Sequence, residues 1–306
     1  MLKNLYRRQT QVEYTVSIYR ICVLNRSRTV IVISDYIFSG RLVFLVVIWA
    51  LLSAMVGFRG TYTDFVNLKP IPGIEAKAAI SMPIKPDFSQ INDVKRKKQE
   101  FFDYLTPYIE EANLQVLQIR SNLLRIAETA NGGEINGKDS VYLKTMASVY
   151  RSPKYIVDDS ELINDLLKRV DVIPVSLALA QAANETAWGT SRFAVKGNNY
   201  FGIWCFSKGC GIVPRERNGG EAHEVAKFID PAESAAYYIK QLNSHNNYQL
   251  LRDLRAQARN SDSKVISGNM LADGLENYSA IGMEYVSSIR SIIRVNKLDQ
   301  FDFVVR

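Results

Sequence analysis

The stretch "ALAQAANETAWGTSRF", Ala178 to Phe193, combines a helix suited to a protein core with a single acidic residue. Ala and Leu dominate its first half, and Pro174 just before it opens the helix near its first turn. Gly189 is then expected to end the helix at the C′ position. The only carboxyl group, Glu185, therefore lies in the last turn, where the negative end of the helix dipole disfavours its ionised form.

The side chains that share a helix face with Glu185 decide how that acid is interpreted. A projection from Pro174 at about 100° per residue places Ala178, Gln181 and Trp188 near it. Because these side chains are small, amide or aromatic, we expect partial burial, which raises the pKa of a carboxyl group. A carboxyl group that stays protonated near neutral pH is suited to general acid catalysis. From spacing alone, the alternative is a glutamate at a helix rim with no catalytic role.

The sequence after residue 157 is helical with one β-rich insertion. Asp158 followed by Glu161, and Asp230 followed by Glu233, are signals for helix starts. Between them, "NNYFGIWCF", "CGIVPRE" and "EAHEVAKF" are typical of short strands, and an "NGG" turn joins the last two. These patterns predict a mostly helical α+β domain over residues 158–306 with a small antiparallel β lobe.

Charge is concentrated at the N-terminus. Residues 1–41 hold seven basic and two acidic residues, and therefore five of the seven net positive charges of the 306-residue chain. The rest of the chain carries no basic patch by this count, so we expect no nucleic-acid partner.

An uncharged run, "LVFLVVIWALLSAMVGF", follows this basic segment from Leu42 to Phe58. As a helix it spans about 25 Å, and it is either a single-pass membrane anchor or a signal peptide. Its length and its poor cleavage site favour the anchor, and the absence of a polar stripe disfavours a buried core helix. The basic flank predicts an inner-membrane protein whose chain after Arg59 faces the periplasm or cell envelope.

Two further segments separate this run from the predicted domain. Residues 59–92 are rich in proline and have no helical or strand period, which is typical of an extended linker. Residues 93–157 have apolar side chains at helical intervals and predict a helical neck packed onto the main domain.

Two cysteines lie close together beyond the apolar run. Cys205 and Cys210, in "CFSKGC", are in a predicted compartment where disulfides persist, and a bond between them could close a small loop. A metal site would need more ligands, and only His223 is near in sequence. We therefore expect no metal, and no cofactor.

Four blocks, in order, resemble the glucosaminidase superfamily of peptidoglycan hydrolases, glycoside hydrolase family 73, and most of all its bacterial Bax-type group. The blocks are "AQAANETAWGTSRFA", "NNYFGIW", "HEVAKF" and "YSAIGMEYV". The resemblance covers about residues 158–298 and implies a lysozyme-like α lobe with a small β lobe. It also implies hydrolysis of the β-1,4 bond after N-acetylglucosamine in peptidoglycan.

The resemblance assigns roles to individual residues. Glu185 is implied to be the proton donor, and Tyr278 to face it across the groove. Contacts with the sugar or the groove wall are expected from Gln181, Trp188, Asn199, Tyr200, Phe201 and Trp204. For Phe201, core packing is an equal alternative.

A second carboxylate is usual in glycoside hydrolysis. Glu216 and Glu224 are the candidates around the predicted hairpin, with Glu216 favoured, while Glu221 is expected to be a solvated turn residue. The acetamido oxygen of the substrate could act instead. Two other functions fit the sequence: a lytic transglycosylase or muramidase of the same fold, and a membrane-tethered glycan-binding protein without activity.

Overall fold

The computed structural model describes residues 83–215, 223–261 and 265–304. The predicted anchor, Leu42 to Phe58, and the candidate acids Glu216 and Glu221 lie outside the described residues. Within the described ranges, no helix is both long and apolar enough to cross a membrane.

The described chain is mostly helical. Its α-helices are α1 (Val94–Gly132), α2 (Gly137–Val149), α3 (Asp159–Arg169), α4 (Val175–Thr186), α5 (Arg192–Gly197), α6 (Pro231–Ser244), α7 (Gln249–Arg259), α8 (Gly268–Leu271) and α9 (Met283–Val295). Short 3-10 helices span Phe88–Gln90, Asn246–Tyr248, Ala272–Tyr278 and Leu298–Phe301. The strands are β1 (Trp204–Cys205), β2 (Gly211–Ile212), β3 (Glu224–Ala226), β4 (Val265–Ile266) and β5 (Phe303–Val304).

The strands form two small antiparallel sheets. In the first, β3 lies between β1 and β2, and Val225 is opposite both Trp204 and Ile212. In the second, β4 pairs with β5, with Ile266 opposite Phe303. The predicted class, mostly helical α+β with a small antiparallel sheet, is confirmed.

The predicted helix starts are confirmed at atomic detail. The carboxylate of Asp158 accepts a hydrogen bond from the backbone N–H of Glu161 at 2.9 Å. Asp230 accepts from the N–H of Glu233 at 2.8 Å, and the Glu233 carboxylate accepts from the N–H of Ile229 at 2.7 Å. Each interaction satisfies donors that a helix N-terminus leaves unpaired.

Helix α1 is part of the same core as the rest of the described chain. Its buried side chains include Phe101, Leu105, Ile109 and Leu123, which belong to one apolar cluster with the buried residues of the later helices. The helix packs against α3, α4 and α6. The segment predicted as a helical neck therefore supplies one wall of the core.

A buried polar cluster joins α1 to α7. The carboxylate of Asp171 pairs with Arg259 and lies 3.5 Å from Arg120 of α1, while Arg255 donates to its backbone carbonyl at 3.0 Å. Burial alone would raise the pKa of Asp171, but its hydrogen bonds with Arg259 and the nearby guanidinium groups lower it overall. The cluster fixes the segment from which α4 begins.

Candidate active site

The turn after α4 sets the direction of Glu185. The helix ends at Thr186, and the next three residues, Ala187, Trp188 and Gly189, have φ values of +47°, +60° and +78°. This conformation costs a residue with a side chain roughly 1–2 kcal/mol. The Thr186 hydroxyl holds the turn by donating to the carbonyl of Ala182 at 2.6 Å and accepting from the N–H of Gly189 at 2.9 Å.

Because α4 ends at Thr186, Trp188 does not lie on the same helix face as Glu185. Its ring packs edge-on against Phe101 and Phe102 of α1, with centroids 5.9 and 5.3 Å away, and Lys98 lies 4.6 Å above it. The predicted helix end at Gly189 was wrong, so the helical projection does not apply to Trp188. The tryptophan instead anchors the turn beside Glu185 to α1.

Glu185 itself is half-buried at the end of α4. Burial raises the pKa of its carboxyl group, and hydrogen bonds with Tyr285 and Asn184 offset part of that rise. The Tyr285 hydroxyl, from α9, donates to Glu185 Oε1 at 2.7 Å. The balance leaves the pKa of Glu185 above its usual value, as the sequence predicted.

Gln181 lies beneath the acid, one helical turn earlier, and is fully buried. Its Nε2 donates to the Tyr285 hydroxyl at 2.9 Å, and its Oε1 accepts from the Tyr238 hydroxyl at 2.6 Å. The structure thus places Gln181 against the two tyrosines, away from the surface that a substrate could reach.

The "NYFGI" block, residues 199–203, brings a glycine to the acid. Buried Asn199 closes the block: its Nδ2 donates to the carbonyls of Ile203 and Ala226, and its Oδ1 accepts from the N–H of Ile203. This arrangement places Gly202, at φ +64°, so close to Glu185 that an added Cβ would lie 2.8 Å from Oε2. Asn199 therefore shapes the site through the backbone.

Two of the aromatic residues predicted to contact sugar, Tyr200 and Phe201, lie in the core, and Tyr278, predicted to face the acid, lies beside Tyr285. Phe201 is buried and stacks on Tyr238 at 4.0 Å, and Tyr200 is buried among aromatic rings of α1. Partly buried Tyr278 donates to the carbonyl of Phe201 at 2.6 Å and stacks on Tyr285 at 5.5 Å. The hydroxyl bonded to Glu185 thus belongs to Tyr285.

Tyr285 and Tyr238 were not singled out from the sequence. Tyr285 lies within the block "YSAIGMEYV", seven residues after Tyr278, so the block did contain the signal. Tyr238 has no such signal, because it lies on α6, outside the four blocks.

The small sheet presents an exposed aromatic ring next to a disulfide. Trp204 is 54% exposed and stacks on His223 at 4.3 Å. Cys205 and Cys210 are joined in a disulfide. Together with Glu224 they make up the one group in the described residues with metal-ligand atoms close together, but bonded sulfurs offer no thiolate.

Glu224 is buried behind the disulfide loop. Its two carboxylate oxygens accept hydrogen bonds from the N–H groups of Gly209 and Gly211, at 3.0 and 2.8 Å. These contacts hold the loop against β3, which gives Glu224 a structural task.

Comparison with known proteins agrees with this architecture. Residues 160–298 match the family model described as mannosyl-glycoprotein endo-beta-N-acetylglucosaminidase. The chain is also 30% identical over 213 residues to protein bax of Escherichia coli strain K12, an alignment covering 69% of this chain and 74% of that protein. No solved structure matches the chain. The chain therefore belongs to the glucosaminidase family, in its Bax-type group, and carries the domain of a glycan-cleaving glycoside hydrolase.

Proposed function

We propose that this protein hydrolyses the β-1,4 bond after N-acetylglucosamine in peptidoglycan strands, with Glu185 as the general acid. The observation that carries the proposal is a half-buried carboxyl group with a raised pKa, in the domain that matches the glucosaminidase family. Burial favours the protonated form of this acid, and partial exposure leaves it accessible to a glycosidic oxygen. A lysozyme-like arrangement of the two lobes would place the glycan between them.

The reaction needs a proton at the leaving oxygen. In our proposal Glu185 donates its proton to the glycosidic oxygen as the C1–O bond breaks, while positive charge develops on the sugar ring. Glu185 becomes a carboxylate in this step, and the Tyr285 hydroxyl already bonded to Oε1 stabilises the new charge. Water then adds at C1, and the proton that it loses passes to a second carboxylate or back to Glu185, which completes the hydrolysis.

For the second carboxylate we propose Glu216, ahead of Glu224. Both oxygens of Glu224 accept backbone hydrogen bonds, and its side chain is buried. A carboxylate that activates water must reach the groove, and Glu224 would have to abandon these contacts to do so. If neither acid acts, the acetamido oxygen of the substrate is the remaining nucleophile.

We also propose that the domain acts outside the cytoplasm. A disulfide between Cys205 and Cys210 persists in an oxidising compartment, and peptidoglycan lies outside the cytoplasmic membrane. The apolar run from Leu42 to Phe58 would then anchor the chain in the inner membrane. Resistance to carbonate extraction would support an anchor, whereas a soluble product beginning near Gly57 would indicate a cleaved signal.

The substitution Glu185→Gln tests the assignment of the acid. The amide keeps the shape but cannot deliver the proton, so turnover should fall by at least about 10²-fold. Release of soluble fragments from purified sacculi measures the rate. Glu284→Gln, at an exposed position on α9, is the matched control and should retain native turnover. A native rate for Glu185→Gln would refute the assignment.

The products identify the bond that is cut. Mass spectrometry of digested sacculi should find N-acetylglucosamine at the new reducing ends. Products ending in 1,6-anhydro-N-acetylmuramic acid would instead indicate a lytic transglycosylase. Binding to sacculi without soluble products, even at high protein concentration, would indicate a glycan-binding protein.

A further inference from the structure

We propose that Tyr238, Gln181 and Tyr285 form a directional hydrogen-bond relay that positions Glu185 and leaves its proton on Oε2. The relay runs from the Tyr238 hydroxyl to Gln181 Oε1, then from Gln181 Nε2 to the Tyr285 hydroxyl, and from there to Glu185 Oε1. This inference rests on the proposed role of Glu185 as the acid. It assigns positioning roles to three buried side chains.

The direction of the relay follows from what each atom can donate. The Tyr285 hydroxyl donates to Glu185 Oε1, and Oε1 can accept this bond both in the carboxylate and in the acid that carries its proton on Oε2. The Tyr285 oxygen can then only accept from Gln181, which fixes the Nε2 end of the amide towards it. The Oε1 end must in turn accept, so the Tyr238 hydroxyl donates.

Tyr238 therefore controls the acid from two residues away. If its donor were lost, the Gln181 amide would keep its bond to Tyr285 but lose the bond that fixes its Oε1 end. A rotated amide would present an oxygen to Tyr285 and draw the Tyr285 hydrogen away from Glu185. Tyr238 and Gln181 are fully buried and Tyr285 is 2% exposed, so none of the three is available to the glycan.

The relay also distinguishes the two oxygens of the acid. Oε1 is occupied by the Tyr285 donor, so the transferable proton belongs on Oε2. Oε2 is the oxygen next to Gly202, where the missing side chain leaves space. The proton thus faces the backbone of the "NYFGI" block at Gly202.

The surroundings of Glu185 make its titration a clean measure of the relay. Among the described residues, the titratable groups that interact with its charge are the hydroxyls of Tyr238, Tyr248, Tyr278 and Tyr285. Burial raises the pKa of all four, so they stay neutral when Glu185 ionises. The hydrogen bonds from Tyr285 and Asn184 are therefore the interactions that lower the pKa of Glu185, and the relay supplies the first of them.

The first test compares three tyrosine-to-phenylalanine variants of the full-length chain. Tyr285→Phe removes the donor that stabilises the carboxylate, so the pKa of Glu185 should rise and the alkaline limb of the pH–rate profile should move to higher pH. A hydrogen bond to a charged group corresponds to a shift of roughly 1–2 units. Tyr238→Phe should shift the limb in the same direction by less. In both, kcat should fall while KM stays native, because neither residue contacts the glycan.

Tyr248→Phe is the matched control. Tyr248 is buried in the same aromatic cluster, 6.0 Å from the Tyr278 ring, but it is outside the relay. Its removal should leave the alkaline limb in place, whatever its effect on the melting temperature. A purely structural role for Tyr238 and Tyr285 would likewise lower the melting temperature without moving the limb.

The second test avoids the risk that a phenylalanine variant does not fold. Site-specific replacement of Tyr285 by 3-fluorotyrosine keeps the hydroxyl and nearly the same volume, but makes it a stronger donor. The alkaline limb should then move to lower pH, opposite to Tyr285→Phe. Alkaline limbs that coincide with the native limb in Tyr285→Phe and the fluorotyrosine protein would overturn the relay. If Glu185→Gln is inactive in the same assay, the proposed acid stands and only the relay fails; if it is active, the proposed function itself fails.

Discussion

At the scale of single residues, Gly202 shows how the acid depends on one backbone position. Its φ of +64° favours glycine, and a Cβ there would lie 2.8 Å from the oxygen that we assign as the proton carrier. Gly209 also has a positive φ, of +83°, but an added Cβ would have no atom within 4 Å. Substitutions at these two glycines therefore separate the effect of backbone strain from the effect of contact with Glu185.

We predict that Gly202→Ala loses activity out of proportion to its loss of stability. Both Gly202→Ala and Gly209→Ala should be destabilised by about 1 kcal/mol or more through the backbone alone. Only Gly202→Ala should also displace the Glu185 carboxyl group and lower turnover at least about tenfold. Melting temperature and sacculus digestion, measured on both variants, check this. Equal activities would show that Oε2 is not the working oxygen.

The raised pKa of Glu185 has a consequence for stability. A carboxyl group whose pKa is higher in the folded than in the unfolded state favours folding at low pH. That contribution is lost as the pH rises through the pKa of the folded state. The acid therefore opposes folding in the pH range where its charge must be buried.

We therefore predict that Glu185→Gln gains stability relative to the native protein as the pH rises. Its melting temperature should equal or exceed the native value near neutral pH, and the difference should grow as the pH rises above the usual pKa of a glutamate, about 4.3, until the carboxyl group of the folded protein is ionised. Thermal unfolding at several pH values measures it. A difference that shrinks with rising pH would mean that the folded protein stabilises the carboxylate.

The sequence was informative about Glu185 and less so about its partners. A single acidic residue among alanines on a helix is conspicuous in the sequence. The small, amide and aromatic side chains near it predict that Glu185 is partly buried. The choice between Tyr278 and Tyr285 depends on where the 3-10 helix ends and α9 begins, and glycine and alanine between the two tyrosines give no local rule for that. Tyr238 comes from a different helix, so only tertiary packing reveals it.

At the scale of elements, capping residues and the three strands of the first sheet were predictable because their rules are local, whereas β4 and β5 were not predicted. The residue at which α4 ends was not predictable from local rules. Two residues with side chains follow Thr186 in the left-handed conformation, and what compensates for them is the packing of Trp188 on Phe102, from a helix more than eighty residues earlier. The conformational propensities of the residues in this turn cannot predict a contact with so distant a part of the sequence.

The sheet gives a prediction that separates a structural acid from a catalytic one. Glu224→Gln replaces one acceptor oxygen by a donor, so the N–H of Gly209 or Gly211 loses its partner. A cost of about 1–3 kcal/mol and a lower melting temperature should follow, with activity changing little at temperatures where the variant is folded.

Glu216→Gln, measured under the same conditions as Glu224→Gln, should show the opposite pattern. Its activity should fall while its melting temperature stays native. If Glu224→Gln instead loses activity at an unchanged melting temperature, Glu224 is the second acid. Near-native rates in both variants would exclude a two-carboxylate mechanism for this protein.

At the scale of the whole molecule, the core extends beyond the segment that carries the family motifs. The family match begins at residue 160, yet Phe101, Leu105 and Ile109 of α1 are fully buried among the later helices. Amphipathic spacing predicted that this segment is helical. It could not show that the segment completes the core, since that depends on the faces that α4 and α6 leave uncovered.

We predict that a fragment of residues 158–306 does not fold stably, whereas residues 83–306 do. Without α1 the fragment would expose the apolar surface that α1 covers, and the turn at Trp188 would lose its support. Circular dichroism and thermal unfolding of both fragments provide the measurement. A cooperative transition in the shorter fragment, at the same temperature as in the longer one, would contradict it.

The contact between α1 and Trp188 also orders events during synthesis. Trp188 and Tyr200, which pack on Phe101, leave the ribosome about 90–100 residues after it. At a synthesis rate of ~5–20 residues per second, roughly 5–20 s pass between the synthesis of the apolar face of α1 and that of these two partners. Through that interval it is an exposed apolar surface, open to chaperones or to aggregation. The core side of α1 is completed only when segments from the middle of the chain have been made.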